Sequence, residues 1–250
     1  MSAAAPGLGD LCERFALPRQ ASGRFGVLLE LIAADARAPT SVTTPQAVLD
    51  AHLADSLVAL ELEEVRAAAT IADLGAGVGF PGLALAVALP GAQVFLVESA
   101  RRHCAWLERA RSAAGLANVE VVHARVEEWL PDDRMDVVTA RALAPLPVVV
   151  EYAAPLLRLG GTLVAWRGRR DHAGDAAAAA AAAQLGLEPL APLAVRPFPQ
   201  ARDRHLHRFA KTAPTPERFP RRPGMATKRP LAASSENQPA RRTPDRRPPQ

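Results

Sequence analysis

Cysteine, aromatic side chains and long apolar runs are all scarce in this sequence. The two cysteines, Cys12 and Cys104, have neither metal-ligand spacing nor a disulfide framework around them. That excludes a thiolate metal centre and a disulfide-stapled scaffold, and predicts two reduced, buried thiols. No uninterrupted apolar stretch approaches the roughly 18–20 residues a membrane helix needs, because Asp73 interrupts the most apolar one. Met1-Ser-Ala-Ala-Ala-Pro has no charged segment followed by an apolar core, so no signal peptide is expected. The expectation is a soluble, cytoplasmic protein that meets no membrane. Aromatics make up 4% of the 250 residues and barely interleave the basic residues near the C-terminus, so base stacking is not the task of that segment.

What is present supports one sizeable domain with appendages, since 49% of the chain is hydrophobic. The net charge of +4 is unevenly placed. From Lys211 to Gln250 there are ten Lys/Arg and three Asp/Glu, so this stretch carries +7 and the body −3. A mildly acidic body with a basic tail points to an anionic partner reached by the tail, or to a solvated tail without one.

Residues 1–66 read as helical. Leu28, Leu29, Leu31 and Ile32 sit among small and charged residues, and Val48, Leu49, Leu53, Leu57, Val58 and Leu60 recur at helical spacing behind Pro45. This part is expected to form an N-terminal helical cap. The pattern then alternates. Strands are expected at Thr70–Leu74, 93–97, 119–124, 135–140 and 162–166, and helices at 80–89, 101–115 and 147–159, with Gly160-Gly161 as a turn. Residues 67–212 therefore predict an α/β domain with a doubly wound, mostly parallel sheet. Alanines 176–183 read as the exposed face of a further helix, and 193–198 with 205–209 as a final antiparallel pair. Residues 213–250, rich in Pro and Arg, predict a tail without structure until bound.

The sharpest local signal is Asp73-Leu-Gly75-Ala-Gly77-Val-Gly79, directly after a strand and opening a helix. Glycines there let the backbone turn tightly and approach a ligand. The spacing G-x-G-x-G differs from the dinucleotide G-x-G-x-x-G, and suits an amino-acid nucleoside whose charged methionine end needs room. Asp73 is then a partner for that ammonium group. Glu98, ending the second strand, is placed to accept hydrogen bonds from two ribose hydroxyls, and Arg125-Val126-Glu127-Glu128 falls where an adenine-recognising loop would lie.

The acceptor side is defined partly by absence. Thr139-Ala-Arg141-Ala-Leu-Ala-Pro145 lacks the Asn/Asp-Pro-Pro-aromatic clamp used on nucleic-acid amino groups, and Cys104 sits on the wrong side to attack a base. Acceptors that need little activation remain, such as a guanine N7. A guanidinium can align that base through O6 and N7, with Arg141 the first candidate and Arg125 the second. His52 and Asp55 share a helix face at i, i+3, either as a polar seam between cap and sheet or as part of an RNA-binding mouth. His205 and His207 lack further ligand-like partners, so no metal is expected.

On these residues the chain resembles the bacterial 16S ribosomal RNA guanine-N7 methyltransferase family (RsmG/GidB). The resemblance rests on Thr40-Ser-Val, His52-Leu-Ala-Asp55-Ser56-Leu57, Asp73 to Gly82 with its Phe80-Pro-Gly ending, Arg125-Val-Glu-Glu128 and Ala140-Arg141-Ala142. It extends to Phe219–Met225 and Lys228–Leu231, which are similar to the extension of the Gram-positive branch. It implies a Rossmann-like class I methyltransferase domain over 67–212 and S-adenosylmethionine as cofactor, with Gly75, Phe80, Val126, Glu127 and Arg141 at or near it. It also implies a guanine of 16S ribosomal RNA, on the RNA or the small ribosomal subunit, as target; a monomer is expected. The chain departs from the family at Ala38-Pro39, at Glu98 where Asp is common, and at Arg167 where Lys is expected. Under this reading Arg218, Arg221, Arg222, Lys228 and Arg229 neutralise RNA phosphates. A methyltransferase of another RNA or a small molecule, and an inactive RNA-binding ribosome assembly factor, remain the alternatives.

Overall fold

The computed structural model describes residues 7–231. The chain opens with helices α1 (Leu8–Arg14) and α2 (Ala21–Ala34), the latter burying Phe25, Leu28 and Ile32. A continuous but irregular helical stretch follows. It begins with α3 (Pro45–Val48), opens into a π-helical segment over Leu49–Ala54, and tightens through α4 (Asp55–Leu57) to a 3₁₀ turn at Val58–Glu61. Helix α5 (Glu63–Arg66) then leads into the sheet.

The strands and helices alternate from there: β1 (Thr70–Leu74), α6 (Gly82–Ala88), β2 (Gln93–Glu98), α7 (Arg101–Ala113), β3 (Val119–His123), β4 (Met135–Arg141), α8 (Leu146–Ala153), β5 (Leu157–Arg167), α9 (His172–Gln184), β6 (Leu187–Pro189), β7 (Leu193–Ala194), β8 (His205–Lys211) and α10 (Met225–Lys228). The sheet order is β3-β2-β1-β4-β5-β8-β6, with β7 also on β8. β1 to β5 are mutually parallel, and β8 runs antiparallel to β5, β6 and β7. The order reverses between β1 and β4, so their carboxyl ends open a crevice, the place where open α/β sheets bind ligands.

Alternation along the strands divides the core. Ile71, Val94, Leu96, Val137 and Val164 face the cap with α6 and α7, whereas Ala72, Leu74, Val97, Val138 and Leu163 face α8 and α9. Each layer closes one face of the sheet.

Of the two thiols expected to be buried, Cys104 is, and Cys12 on α1 is only half-buried. Three further local expectations are corrected. Gly160-Gly161 lies within β5, not in a turn, and the helix before it ends at Ala153. A Cβ at Gly161 would lie 2.9 Å from the carbonyl oxygens of Met135 and Asp136, so the glycine lets β5 pass the irregular start of β4. The alanine tract is not an exposed face: Ala178, Ala181 and Ala182 are fully buried, and their small side chains let α9 pack closely on α8. The tail does not lose structure at residue 213. Phe219 and Ala226 are buried, and the chain as far as Leu231 packs against the face carrying α8. Residues 232–250, the rest of the expected tail, lie outside the described residues.

Candidate active site

Register places Asp73 beside Thr139 and Arg141 beside Trp166, which gathers the ends of β1, β4 and β5 at one point. Gly75, Gly77 and Gly79 all have positive φ, at 66°, 55° and 101°. The loop they form is held from behind. The Gly77 N–H donates to Glu98 Oε2 at 3.0 Å and the Gly82 N–H to Asp73 Oδ2 at 2.9 Å, while Thr139 Oγ1 donates to Asp73 Oδ1 at 2.8 Å. Burial pushes the Asp73 carboxyl up to about 6 against the pull of these donors.

Two cavities share Gly75. The larger, about 760 Å³, is lined by Thr40, His52, Asp55, Gly77, Phe80, Arg141, Trp166, Arg167, Arg169 and Arg204 among others. The smaller, about 120 Å³, is lined by Val97, Ser99, Ala124, Arg125, Val126, Glu127, Leu143 and Tyr152. A Cβ at Gly75 would come 2.5 Å from Leu143 Cδ1, so only glycine lets the chain pass between the two.

Arg141 projects into the larger cavity from the end of β4, and Ala142 behind it takes the uncommon φ of 55°. Its Nη1 donates to the Ala51 carbonyl at 2.9 Å and to Asp55 Oδ2 at 3.1 Å, and its Nη2 lies 3.4 Å from His52 Nδ1. Since a guanidinium only donates, His52 accepts at Nδ1 and donates its Nε2 hydrogen to Thr40 Oγ1 at 2.9 Å. Burial, and secondarily the Arg141 charge, hold the His52 imidazole down to about 4, so it is neutral at neutral pH. Its ring stacks on Phe80 with centroids 5.5 Å apart. The π-helical segment is what brings these groups together. Its widened turn carries Ala51 and His52 to Arg141, with Asp55 one residue beyond. The Trp166 indole pins Asp55 through its backbone carbonyl at 2.7 Å, and Arg204 Nε stands 3.5 Å from the other Asp55 oxygen.

The predicted residues thus fall into separate groups. Gly75, Gly77, Phe80 and Arg141 line the larger cavity, and Val126, Glu127 and Arg125 the smaller. Arg125 is therefore not beside Arg141, and the two candidates line different cavities. Asp73 and Gly79 support the loop from behind and line neither cavity. Arg221 of the supposed phosphate-binding set is taken up in a paired contact with the buried Glu151 carboxylate. Arg218, Arg222, Lys228 and Arg229 are exposed on the same segment. Sequence reasoning missed Thr139, Trp166 and Arg204, whose roles arise from cross-strand register and from the loop before β8. Among the described residues no group of three or more His, Cys, Asp or Glu could hold a metal ion, and no helix is long and apolar enough to cross a membrane.

A family profile described as GidB, rRNA small subunit methyltransferase G, matches residues 29–205, which is well over half of the chain. The chain belongs to this family. The small-subunit methyltransferase G of Rubrobacter xylanophilus is 40% identical over 194 residues, which cover 75% of this chain and 74% of that protein. The protein of the same name from Chloroflexus aggregans is 40% identical over 196 residues, with 77% and 82% covered. Among solved structures, the mitomycin 7-O-methyltransferase superposes with a TM-score of 0.55 at 16% identity, covering 82% of this chain and 72% of that one. Aeropyrum pernix fibrillarin, crystallised with natively bound S-adenosylmethionine, gives 0.50 at 19% identity, with 63% and 74% covered. At such identities the likeness is one of fold, that of the Rossmann-like class I methyltransferases.

As a member of the methyltransferase G family the chain is an S-adenosylmethionine-dependent methyltransferase, and the residues present fit that cofactor. At Gly77 an added Cβ would meet nothing nearer than the Gly75 carbonyl at 3.8 Å, so the loop backbone faces open space. Glu98, like Asp73, lines neither cavity; its Oε2 accepts from Gly77 and its Oε1 from Ala100, and each oxygen keeps a further lone pair for a hydroxyl. The match ends at His205, so the segment carrying Arg221 lies outside it.

Proposed function

We propose that this protein methylates N7 of a guanine in 16S ribosomal RNA, acting as a cytoplasmic monomer on the RNA or the small ribosomal subunit. Bound S-adenosylmethionine supplies a methyl group on a sulfonium sulfur, open to in-line displacement. A guanine N7 already presents a lone pair, so the protein needs no base to uncover it and its task is alignment. The observation that carries this reading is the state of Arg141. Its three hydrogen-bonding contacts use both Nη1 hydrogens and one of Nη2. The Nε–H and a remaining Nη2 hydrogen can donate to guanine O6, which holds that edge of the base while the N7 lone pair stays free to meet the methyl group. Asp55 and neutral His52 fix the opposite edge, so the guanidinium meets the base in a set orientation. Arg167, Arg169 and Arg204 at the mouth favour a polyanion over a neutral small molecule. The base must enter unstacked or already single-stranded.

The test is transfer of labelled methyl to small-subunit ribosomal RNA from a strain lacking this gene, with the product mapped by N7-specific chain cleavage. One cleaved guanine is expected, and Arg141→Ala should lower the rate by about 10²-fold or more while S-adenosylhomocysteine still binds. No incorporation into RNA or subunits by a cofactor-binding protein would overturn the proposal. Undiminished transfer by Arg141→Ala would remove Arg141 from the site.

A further inference from the structure

Behind the smaller cavity runs a segment that the function just described does not use. Residues 216–231 cross the outer side of α8 and are fastened at several points. Phe219 is buried, and the Arg221 guanidinium grips Glu151 through two hydrogen bonds, from Nε to Oε1 at 2.6 Å and from Nη2 to Oε2. The Glu151 side chain is 3% exposed. A carboxylate that buried is strongly destabilising without its partner, so this contact is built into the fold. Next to it on α8, Tyr152 lines the smaller cavity, and its hydroxyl lies 3.3 Å from Thr227 Oγ1. Between these anchors Gly224 turns with φ of 78° and donates its N–H to Glu127 Oε1 at 2.8 Å. Two walls of the smaller cavity, Glu127 and Tyr152, are therefore held from outside by the same segment.

We propose that residues 216–231 are a strap that completes the nucleotide end of the cofactor site, and that Arg221 and Glu151 are positioning residues for adenine selectivity. This rests on the function proposed above, with the adenine of the cofactor in the smaller cavity. The Gly224 N–H fixes one oxygen of Glu127. A carboxylate has room for about four acceptor contacts, so Glu127 still accepts from the exocyclic amine of adenine. A 6-oxo purine offers a carbonyl there, which a fixed carboxylate repels. Without the strap Glu127 can swing away, and the distinction weakens.

The experiment uses the full chain and two probes, S-adenosylhomocysteine and S-inosylhomocysteine, with binding measured by calorimetry. The wild type should prefer the adenine probe. Arg221→Ala should weaken its binding about tenfold, within the usual range of coupling between sites, and shrink the preference towards unity. The double variant Glu151→Gln, Arg221→Gln leaves no unpaired buried charge and should show the same loss of preference with a smaller loss of stability. Hydrogen exchange on the wild type needs no variant: the adenine probe should slow exchange across 219–228. Unaltered preference in both variants, or exchange slowed at the glycine loop but not in the strap, overturns the proposal. A wild type that binds both probes equally also overturns it and leaves the methyltransferase reading intact. A wild type that binds neither probe takes the proposed function down with it.

Discussion

His52 links acid–base chemistry to the geometry of Arg141, and the link has a sign. Its imidazole titrates at about 4 in the folded protein against 6.5 for an unperturbed histidine. Between those values the unfolded chain binds more protons, so stability falls as the pH drops from 6.5 towards 4. At pH 5 the loss amounts to about 2 kcal/mol for this group. Asp73 acts in the opposite sense. Its carboxyl is raised from 3.8 to about 6, so the folded state holds its proton longer and gains stability as the pH falls through that window. The two partly cancel in the wild type, and a variant is needed to separate them. His52→Gln should lose less stability between pH 7 and pH 5 than the wild type, by chemical denaturation at both values. Equal losses would mean that His52 is not held neutral by its surroundings. The place of Arg141 was legible in the sequence because it ends a strand, and it lines the larger cavity from there. Its partnership with His52 and Asp55 was only half legible: the helix spacing put those two on one face, but the π-helical widening that turns the face to Arg141 has no sequence signature.

At the scale of elements the glycines divide by what surrounds them. Gly82 opens α6 with its missing Cβ 2.9 Å from Asp73 Oδ2 and 2.3 Å from Leu96 Cδ2. Gly77 has open space instead, and its constraint is the φ of 55°. Gly82→Ala should therefore cost about 1–3 kcal/mol in overpacking and disturb the Asp73 hydrogen bond. Gly77→Ala should cost about 1–2 kcal/mol in backbone strain and weaken cofactor binding at a loop that is otherwise unaltered. Denaturation and S-adenosylhomocysteine titration on both variants would check this, and a Gly82→Ala protein as stable as wild type would refute the packing account. The strand–loop–helix unit here was readable because periodicity and glycine spacing agree. The start of β5 was not, because Gly160-Gly161 carries a turn signal that the close passage of β4 overrides. The alanines of α9 misled for a related reason, since burial by close helix packing leaves no hydrophobic stripe to see.

For the whole molecule the question is which charges meet the RNA. Composition pointed to everything after Lys211, but folding removes two of those cations. Lys211 is buried, its Nζ donating to the Leu185 carbonyl at 2.7 Å, and burial lowers its ammonium to about 8. Arg221 is spent on Glu151. On the described part of the tail Arg218, Arg222, Lys228 and Arg229 remain exposed, while Arg169 and Arg204 are exposed at the cavity mouth. These two groups should differ in kind. Replacing the four strap cations by Gln should weaken RNA binding and reduce the slope of log affinity against log salt by about 0.7–0.9 for each phosphate no longer neutralised, with little change in turnover at saturating RNA. Arg169→Gln with Arg204→Gln should also lower turnover, because these side chains line the same cavity as Arg141 and Arg204 flanks Asp55. Filter binding at several salt concentrations, paired with single-turnover methylation, separates the cases. If the strap variant keeps the wild-type slope, its cations do not touch phosphate, and the basic charge beyond Thr212 serves the protein's own packing or lies in residues 232–250. If the mouth variant changes affinity and salt slope but leaves turnover alone, Arg169 and Arg204 gather RNA without orienting it, and Arg141 with its two partners does the alignment unaided.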